Sequence, residues 1–491
     1  MKRLGTILLV ILILTGFYLF GGSQDENRIT SVSELNGQNM GCMSGSIFDQ
    51  LISKVFPDSK IVYYSSRSEL LLGLTSGKIA GFISDEPVAM MMVNKNEGIT
   101  YFDEAVGEVE YGICFSDEAK EIQKQFNDYI ADLTASGYIT ELQEKWIQPQ
   151  GTSQQKEEHE LSGKNGTLRC VTTPDAAPFS FLSNNTFQGY ETELLNDFCY
   201  EYGYDLEIST VSFDALLTSV ALNKYDVAFN GIYITEERAK SVNFSTPVYR
   251  AKDVVMVRSD TVSGSKSFID TVKDSFYKNF IEEDRYLILL NGIKITLLIS
   301  LAAIVFGSIL GLLVFIISLR FPSSVKTFDF LQTTLARLPA AIILMLLYYV
   351  VFKRSSLDAA IISIFGFSIM FCFTCYGLLK VGVRAVDIGQ GEAALAIGYN
   401  NWQTLIRVIL PQALKVILDN YLNEMVALIK NTSIVGYISV NDLTRSSDII
   451  RGRTYDALFP LVSVALIYYL LCTLITKVLR IPFERYINKE V

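Results

Sequence analysis

The chain has a single histidine and little that resembles a metal site. That histidine, His159, lies in a polar stretch, so histidine-based acid–base catalysis and histidine-rich metal sites are not expected. The seven cysteines show one Cys-x-x-Cys spacing, at Cys372 and Cys375, inside an apolar run where both are expected to be small helix residues. We therefore predict no metal on this chain.

A phosphate-binding loop of the form Gly-x-x-x-x-Gly-Lys-Ser/Thr is also missing, which argues against ATP hydrolysis by the chain itself. The chain has 42 Lys and Arg residues but 52 Asp and Glu residues. Because nucleic-acid binding requires a basic surface, this acidic balance argues against a nucleic-acid partner. With 50% hydrophobic and 19% charged residues, the 491-residue chain is too apolar for an ordinary soluble protein and too long for one domain. The composition predicts a membrane protein with several domains.

Residues 1–28 have the pattern of an export element. Lys2 and Arg3 precede an apolar run, Leu4–Phe20, whose length lies between a signal-peptide core and a full membrane span. Phe17 occupies the position where a lipoprotein needs cysteine, so lipidation is not expected. An uncleaved anchor is slightly favoured over a cleaved signal peptide, and in both cases the following residues are expected outside the cytoplasm.

Residues 29–258 have the alternating strand and helix patterns of a soluble α/β region. Short runs such as Asn39–Met43 and Lys60–Tyr64 predict strands, and 3.6-residue periodicity predicts helix from Glu118 to Trp146. A polar stretch at 148–166 separates two such α/β units and is typical of a linker. The alternation predicts mostly parallel sheets with ligand sites at the strand ends.

Five segments of the C-terminal part are predicted to cross a membrane. They lie at about 290–318, 328–352, 358–381, 412–436 and 456–479. The fourth carries Asp419, Glu424 and Lys430, and charged groups within a span must face the helix bundle or a pathway. Five spans that start outside the cell place the C-terminus in the cytoplasm. Most lysines and arginines then fall in cytoplasmic loops, as expected, and Lys353 and Arg354 are exceptions.

Between the third and fourth predicted spans lies a Glu-Ala-Ala run, then a glycine and, further on, Leu-Pro. The residues of this pattern are Glu392, Ala393, Ala394, Gly398, Leu410 and Pro411. Glu392 is expected to cap or charge the first turn of a helix, Gly398 to permit a sharp turn, and Pro411 to start the next helix. The pattern resembles the coupling loop of ABC importer permeases. The resemblance implies docking on a separate cytoplasmic ATPase, which would bind ATP and Mg²⁺.

The second α/β unit contains four stretches that share a further pattern. They are Pro174–Phe179, Gly189–Leu195, Lys224–Ala228 and Gly231–Arg238. Together with the Gly45-Ser46 pair and Ser84–Ala89, they resemble the two-lobed periplasmic binding proteins of the polar amino acid family. Residues 167–258 are similar to the first lobe, residues 29–115 to the second, and residues 116–147 to the C-terminal piece that returns to the first.

The order of these pieces differs from the order in that family. Here the second lobe and the return piece precede the linker and the first lobe. We interpret this order as a circular permutation, with the ordinary termini joined through 148–166 and the new ends at the hinge between the lobes. The alternative is two truncated domains that pair between subunits. Permutation is preferred because the pieces sum to one complete domain without duplication.

The resemblance implies a site for a zwitterionic amino acid. Arg238 matches the position that binds the carboxylate, and its planar guanidinium suits a bidentate contact. Asp85, on the opposite lobe, matches the position that binds the ammonium. Gly45 and Ser46 are expected to add a backbone N–H and a hydroxyl to the carboxylate, and Thr235 to cap the turn that leads to Arg238.

Two positions depart from the family pattern. Ala176 stands where an aromatic residue usually packs on the ligand, and Tyr233 stands where Ser or Thr is usual. Tyr233, Phe179 or Phe213 is expected to replace the lost aromatic surface, and Gly231 of the same stretch completes the predicted substrate-binding set. The reshaped pocket leaves the identity of the amino acid open.

The two resemblances together imply an α/β two-lobed periplasmic-binding-protein-like external domain and an all-α five-span transmembrane permease bundle. The predicted boundaries are 1–28 for the signal anchor or signal peptide, 29–147 for the second lobe and return piece, 148–166 for the linker, 167–258 for the first lobe, 259–287 for a juxtamembrane connector, 288–482 for the permease and 483–491 for a cytoplasmic tail.

The implied function is that of a fused substrate-binding and permease subunit of an ATP-driven ABC importer for polar amino acids. It would sit in a bacterial plasma membrane, catalyse no reaction and bind no cofactor itself. The expected partners are a dimer of cytoplasmic ATPase subunits, a second permease copy and the amino acid. A ligand-gated channel with a glutamate-receptor-like domain, or a membrane sensor, is the alternative.

Overall fold

The structure is a computed structural model that describes residues 29–147, 160–183, 186–259, 268–353, 355, 357–454, 456 and 458–488. The predicted export element and residues 148–159 of the predicted linker lie outside the described residues. The described chain forms two compact units. One contains residues 29–110 and 249–259, and the other contains residues 111–147, 160–248 and the helices from 268 onwards.

The strands are β1 (Asn39–Met43), β2 (Lys60–Tyr64), β3 (Gly81–Asp85), β4 (Ile99–Tyr111), β5 (Cys114–Phe115), β6 (Thr167–Thr172), β7 (Asp175–Ala176), β8 (Ser180–Ser183), β9 (Thr186–Gln188), β10 (Asp205–Thr210), β11 (Val227–Ala228), β12 (Asn243–Phe244) and β13 (Tyr249–Arg258). The α-helices are α1 (Phe48–Val55), α2 (Arg67–Thr75), α3 (Glu86–Lys95), α4 (Lys120–Ser136), α5 (Tyr138–Trp146), α6 (Tyr190–Tyr202), α7 (Phe213–Ala221), α8 (Phe268–Phe276), α9 (Tyr286–Arg320), α10 (Val325–Arg337), α11 (Ala340–Leu346), α12 (Ala359–Ala385), α13 (Ile388–Ala396), α14 (Asn401–Thr404), α15 (Leu410–Asn431), α16 (Leu443–Thr454) and α17 (Leu458–Asn488).

The first unit is built on a five-stranded sheet in the order β2-β1-β3-β13-β4. Strand β1 is parallel to β2 and β3, as the alternation of strands and helices predicts, and β13 runs antiparallel to β3. Four consecutive β13 residues, 254–257, are buried, so this strand completes the core of the sheet. Asp85 ends β3, and the carboxyl end of a parallel strand is where α/β sheets commonly bind ligands.

The second unit starts with a five-stranded sheet in the order β10-β6-β11-β5-β12. Strand β6 is parallel to β10 and β11, whereas β5 is antiparallel to β11 and β12. The predicted long helix after β5 is two helices, α4 and α5, because Gly137 between them adopts a left-handed conformation. The carboxylate of Glu193 in α6 accepts a hydrogen bond from the Trp146 indole at 2.7 Å, which ties α5 to this unit.

Two strands lie in a different sheet from the one expected. Residues Tyr249–Arg258 were predicted in the first lobe, but they form β13, which pairs with β3 in the sheet of the first unit. Residues 114–115 were predicted in the second lobe, but they form β5, which pairs with β11 in the sheet of the second unit. The reason is that the buried backbone N–H and C=O groups of β3 and β11 need hydrogen-bond partners, which β13 and β5 supply. Below, the first lobe means residues 111–147 and 160–248, and the second lobe means residues 29–110 and 249–259.

The remainder of the second unit, called the helical region below, consists of residues 268–488. Three of its described helices are long and apolar enough to cross a membrane: α9, α12 and the Leu458–Ile481 part of α17. A fourth candidate is the pair Pro322–Arg337 and Ala340–Val351, which is bent by 104°. The structure therefore contains three or four candidate spans by length and composition, compared with the five predicted.

Helix α15 covers most of the fourth predicted span but is not among the candidate spans. Its sequence includes four charged residues, Lys415, Asp419, Glu424 and Lys430. The last three are exposed and lie on one face together with Asn420 and Asn423, while the opposite face packs into the helical region through Leu422 and Met425. The helix is thus amphipathic, with one polar stripe along its length.

Candidate functional site

Several predicted site residues meet in the first lobe around Tyr111. The ring of Tyr233 stacks on the ring of Tyr111, with centroids 5.2 Å apart and 12° between the planes. Phe179 meets Tyr111 edge-on at 4.8 Å, and a Cβ atom placed on Gly231 would lie 3.3 Å from the Phe179 ring. All three rings are buried. Phe179 and Tyr233 therefore build the wall of the predicted site rather than an exposed aromatic surface.

Arg238 is positioned by the same segment. Its backbone N–H donates to the Thr235 hydroxyl at 3.2 Å, which is the capping contact expected from the sequence, and its Nη1 donates to the Tyr233 carbonyl at 3.2 Å. Burial lowers the pKa of Arg238, but an arginine stays charged at neutral pH. The structure thus offers a half-buried, oriented guanidinium next to the aromatic wall.

Glu191 belongs to this group, although it is not among the site residues predicted from the sequence. The side chain is fully buried in α6, and its Oε2 accepts a hydrogen bond from the Gly231 N–H at 2.8 Å. It therefore holds the backbone turn that leads to Tyr233 and Arg238. The one sequence feature that could have identified Glu191 is its position in the Gly189–Leu195 stretch, which resembles the binding-protein family.

Phe213 has a different setting. It is the first residue of α7 and packs, half-buried, against a cluster that includes Val211, Leu216 and Val220. The described contacts thus place it in the core beside α7, whereas Phe179 and Tyr233 share the wall around Tyr111.

Gly45, Ser46 and Asp85 belong to the second lobe. The Ser46 hydroxyl donates to the Met43 carbonyl at 2.7 Å and accepts from the Phe48 N–H at 3.4 Å, so it stabilises the turn that opens α1. Asp85 precedes α3 and is 7% exposed. Asp253 lies directly opposite Asp85 in the β3–β13 pairing and is also buried, and opposite residues of an antiparallel pair share one face of the sheet. Two carboxylates thus lie on one face of this sheet.

The predicted coupling residues form a helix, a turn and a second helix. Helix α13 carries Glu392, Ala393 and Ala394, and it is capped by Asp387, whose carboxylate accepts from the Gly389 N–H at 2.7 Å. The expectation that Glu392 occupies the first turn is wrong, since α13 begins at Ile388 and Glu392 falls in the second turn. The expectation that Pro411 starts the next helix is also wrong, since the second helix is capped at Asn400 and runs from α14 through a π-helical segment, Leu405–Ile409, directly into α15.

Gly398 ends this helix in a Schellman motif. The Tyr399 N–H bonds to the Ala394 carbonyl at 3.1 Å, and the Gly398 N–H bonds to the Leu395 carbonyl at 3.0 Å. The φ of Gly398 is +94°, a conformation that other residues adopt only with strain. Around the turn, Ile388, Ile397 and Trp402 are at least half exposed. The turn thus presents apolar side chains on its surface.

The first lobe packs directly on the helical region. The Tyr225 hydroxyl lies 3.0 Å from the Tyr348 hydroxyl and donates to the Ser439 hydroxyl at 2.9 Å. Arg445 donates to the Val211 carbonyl at 2.7 Å, and Leu222 packs against the core of the helical region. These contacts involve the segments before α12 and after α15.

Helix α12 separates the contacts between the first lobe and the helical region from the predicted coupling helices, α13 and α14. Its N-terminus at Ala359 lines a cavity with Tyr225 and Lys224 of the first lobe, and its C-terminus at Ala385 is followed by α13. With 27 residues and about 1.5 Å of rise per residue, α12 is about 40 Å long, compared with about 30 Å for the hydrocarbon core of a bilayer. The lobe and the coupling helices are therefore at opposite ends of a helix that is long enough to cross a membrane.

Comparison with known proteins identifies relatives of two kinds. The family model of bacterial extracellular solute-binding proteins, family 3, matches residues 168–427. The chain is 31% identical over 202 residues to the permease protein GlnP of Rickettsia felis, which is assigned to a glutamine transport system; the match covers 40% of this chain and 92% of the relative. It is 30% identical over 197 residues to the arginine transport system permease protein ArtQ of Bacillus subtilis, covering 38% of this chain and 87% of the relative.

Among solved structures, an amino acid ABC transporter with histidines is 26% identical. That match covers 45% of this chain and 100% of the other chain, with a TM-score of 0.39. The family model and the two permeases show that the chain is similar to a solute-binding family and to amino-acid permeases.

Proposed function

Since this chain belongs to the family 3 bacterial extracellular solute-binding proteins and joins that domain to an amino-acid ABC permease, we propose that it captures an amino acid outside the cell and passes it through the membrane. The observation that carries the proposal is the arrangement along α12. A binding lobe is packed at one end of this helix and the coupling helices follow its other end, as import driven from the cytoplasm requires.

Capture is assigned to the residues that match the binding-protein family. Arg238 binds the carboxylate of the amino acid through its guanidinium, and Asp85 of the second lobe binds the ammonium. The buried wall of Phe179 and Tyr233 supports Arg238, and Gly231 is held by Glu191. Gly45 and Ser46 add backbone and hydroxyl contacts to the carboxylate, and Phe213 contributes to the shape of the lobe. The relatives named above act in glutamine and arginine transport, so a polar amino acid is the substrate class.

The driving force comes from a separate ATPase. The coupling residues Glu392, Ala393, Ala394, Gly398, Leu410 and Pro411 form its docking surface. ATP and Mg²⁺ bind to that partner, and this chain itself binds no cofactor. This assignment is supported by the exposed apolar side chains of the turn, which need a protein partner to leave water.

A second permease copy completes the membrane part. The polar stripe of α15, with Asp419, Asn423 and Glu424 exposed, would be costly against lipid and is accommodated when it faces another protein surface or a hydrated path. Helix α15 then serves as the fifth span, and the chain functions as a homodimer in the plasma membrane with both lobes outside. The channel alternative is not favoured, because the relatives are transport permeases.

The binding domain is a circularly permuted form of the family's domain. The strand order supports this proposal. In both large sheets the fourth strand, β13 in one and β5 in the other, runs antiparallel to the third. Reading the chain from β6 to β13 and then from β1 to α5 produces one complete domain with each element used once. The segment at 1–28, which we infer to be an uncleaved anchor, directly precedes the second lobe in the sequence.

Expression of residues 29–259 alone tests the permutation. We expect a soluble monomer that binds one amino acid per chain, because the fragment contains every strand of both large sheets. Light scattering gives the oligomeric state, and calorimetry with L-glutamine, L-arginine and L-cystine gives the stoichiometry. A dimer that loses binding on dilution would instead support lobe exchange between subunits.

Reconstitution tests the transport function as a whole. The full chain in proteoliposomes, with a cytoplasmic ATPase that co-purifies with it, is expected to accumulate one of these amino acids only when ATP is supplied on the coupling-loop side. The same vesicles with ADP are the control. Ion conductance without ATP, or no co-purifying ATPase, would contradict the importer and favour the channel or the sensor.

A further inference from the structure

A cavity of about 450 Å³ lies between the first lobe and the helical region. Lys224, Glu207 and Tyr225 of the lobe form one side. The other side is formed by the start of α9, by the start of α12 and by the loop after α15, which contributes Ser439 and Asn441. The predicted substrate-binding residues around Arg238 are not among its lining residues. The volume is in the range of small-molecule sites.

Lys224 is the unusual side chain of this cavity. It is 8% exposed, and within the described chain its ammonium contacts the Ser355 carbonyl at 3.4 Å and the Tyr348 ring at 4.3 Å but pairs with no carboxylate. The other lining cation, Arg169, is already bound to Asp226 by two hydrogen bonds of 2.6 and 3.0 Å. A buried charge without an opposite charge is unfavourable in free energy, so an anion bound next to Lys224 would be stabilised. Burial and the neighbouring Arg169 both lower the pKa of Lys224, which shows the same shortage of negative charge.

The N-terminus of α12 also lines the cavity, at Ala359 and Ala360. The positive end of this helix dipole attracts negative charge, and the Asp358 carboxylate already occupies that position. The cavity contains groups of the opposite kind as well. Glu207 and Asp358 supply carboxylates, and Asn291 and Asn441 supply amide oxygens. Asp358 uses Oδ1 to accept the Ala360 N–H at 2.6 Å.

We propose that this cavity is a second binding site for an α-amino acid, with the carboxylate on Lys224 and the ammonium at Glu207 and Asp358. A zwitterion fits because acceptors and donors line one chamber, whereas a simple anion would be repelled by the carboxylates of Glu207 and Asp358. The apolar side chains of Ile295, Leu357 and Val440 contact the rest of the ligand.

The position of the cavity indicates its purpose. Its helical side includes the N-terminal turns of α9 and α12, which are two of the candidate spans. An amino acid bound there stands at the ends of two candidate membrane helices. The cavity is therefore a transit site between capture and translocation, an assignment that rests on the proposed import function.

Binding stoichiometry on the full chain in nanodiscs tests this site. The probes are radiolabelled L-glutamine, L-arginine and L-cystine at up to about 10 mM, since a transit site needs only weak affinity. Wild type is expected to bind two molecules of its substrate per chain. Arg238→Ala and Lys224→Met should each retain one, and the double variant none. Lys164→Met, which replaces an exposed lysine of the same lobe, should retain two.

Uptake measurements then separate the transit site from a purely structural role of Lys224. Lys224→Met is expected to reduce the maximal uptake rate about tenfold or more while binding at the Arg238 site is unchanged, because a hydrogen bond to a charged group is lost. Loss of all bound ligand in Arg238→Ala, or two bound molecules in Lys224→Met, would overturn the second site while leaving the importer intact. Failure of wild type to bind or transport any of the three probes would instead overturn the proposed function on which the site rests.

Discussion

Replacement of Arg238 by alanine is expected to weaken binding of the amino acid by about thirty-fold to several thousand-fold. Truncation of one partner of a desolvated charge pair costs roughly 2–5 kcal/mol, because the carboxylate of the ligand loses its counter-charge but remains buried. The structure supports a large effect, since the guanidinium is already oriented by the Tyr233 carbonyl, and Thr235 holds the backbone N–H of Arg238. Calorimetry on the full chain in nanodiscs measures the change.

Asp85→Ala is expected to have an effect of the same size at the ammonium end of the ligand. Lys240→Ala is the matched control, because Lys240 lies two residues from Arg238 in the same turn and is exposed. Near-wild-type affinity in both Arg238→Ala and Asp85→Ala would show that the amino acid binds elsewhere in the chain. Loss of binding in Lys240→Ala would indicate that the turn, rather than the guanidinium, is what the substitutions disturb.

Gly398→Trp is expected to lower ligand-stimulated ATP hydrolysis at least tenfold while leaving amino-acid affinity unchanged. The glycine has φ of +94° at an exposed turn, and a Cβ atom added to it would have no neighbouring atom within 4 Å, so the indole would project into the space proposed for docking of the ATPase. The few residues that dominate a protein interface, near its centre, contribute about 2 kcal/mol or more each, which corresponds to such a loss. Phosphate release by the reconstituted complex measures it.

Two further variants separate bulk from backbone strain. Gly37→Trp places the same side chain at a second-lobe glycine that also has positive φ and open surroundings, so it imposes similar strain far from the coupling helices in sequence. Ile397→Asp leaves the φ of Gly398 untouched and puts a charge on a side chain that is 75% exposed. We expect hydrolysis to be lost in Ile397→Asp and retained in Gly37→Trp. The opposite pattern would refute the docking role of this turn.

Local patterns predicted much of this protein because local physics controls them. The need for a glycine at position 398 follows from one backbone turn, and Thr235 caps Arg238 over a distance of three residues. The parallel pairing of β1 with β2 also follows the alternation of strands and helices. Where the prediction failed locally, as for Glu392, the error was the register of the helix start, which depends on Asp387 one residue before α13.

Residues whose role depends on distant segments were not predictable in the same way. Tyr111 has no special sequence context, and it becomes the centre of the first-lobe wall only because Phe179 and Tyr233 fold against it. Lys224 was part of a recognised stretch, but its burial depends on Tyr348, more than a hundred residues later. Helix α15 shows the intermediate case, because its charges were evident but its amphipathic packing was not.

The sequence by itself determined the two kinds of domain and the turn at Gly398, and it predicts the export element, the coupling role of that turn and the charged pair for the ligand. These depend on composition, periodicity and short motifs, which are properties of neighbouring residues. Only the tertiary structure decided that β13 completes the sheet of the second lobe and β5 that of the first, and that a buried lysine stands at the junction with the membrane helices. The reason is that strand partners and buried charges are selected by hydrogen bonding and desolvation between segments far apart in the chain, and a one-dimensional pattern does not contain those distances.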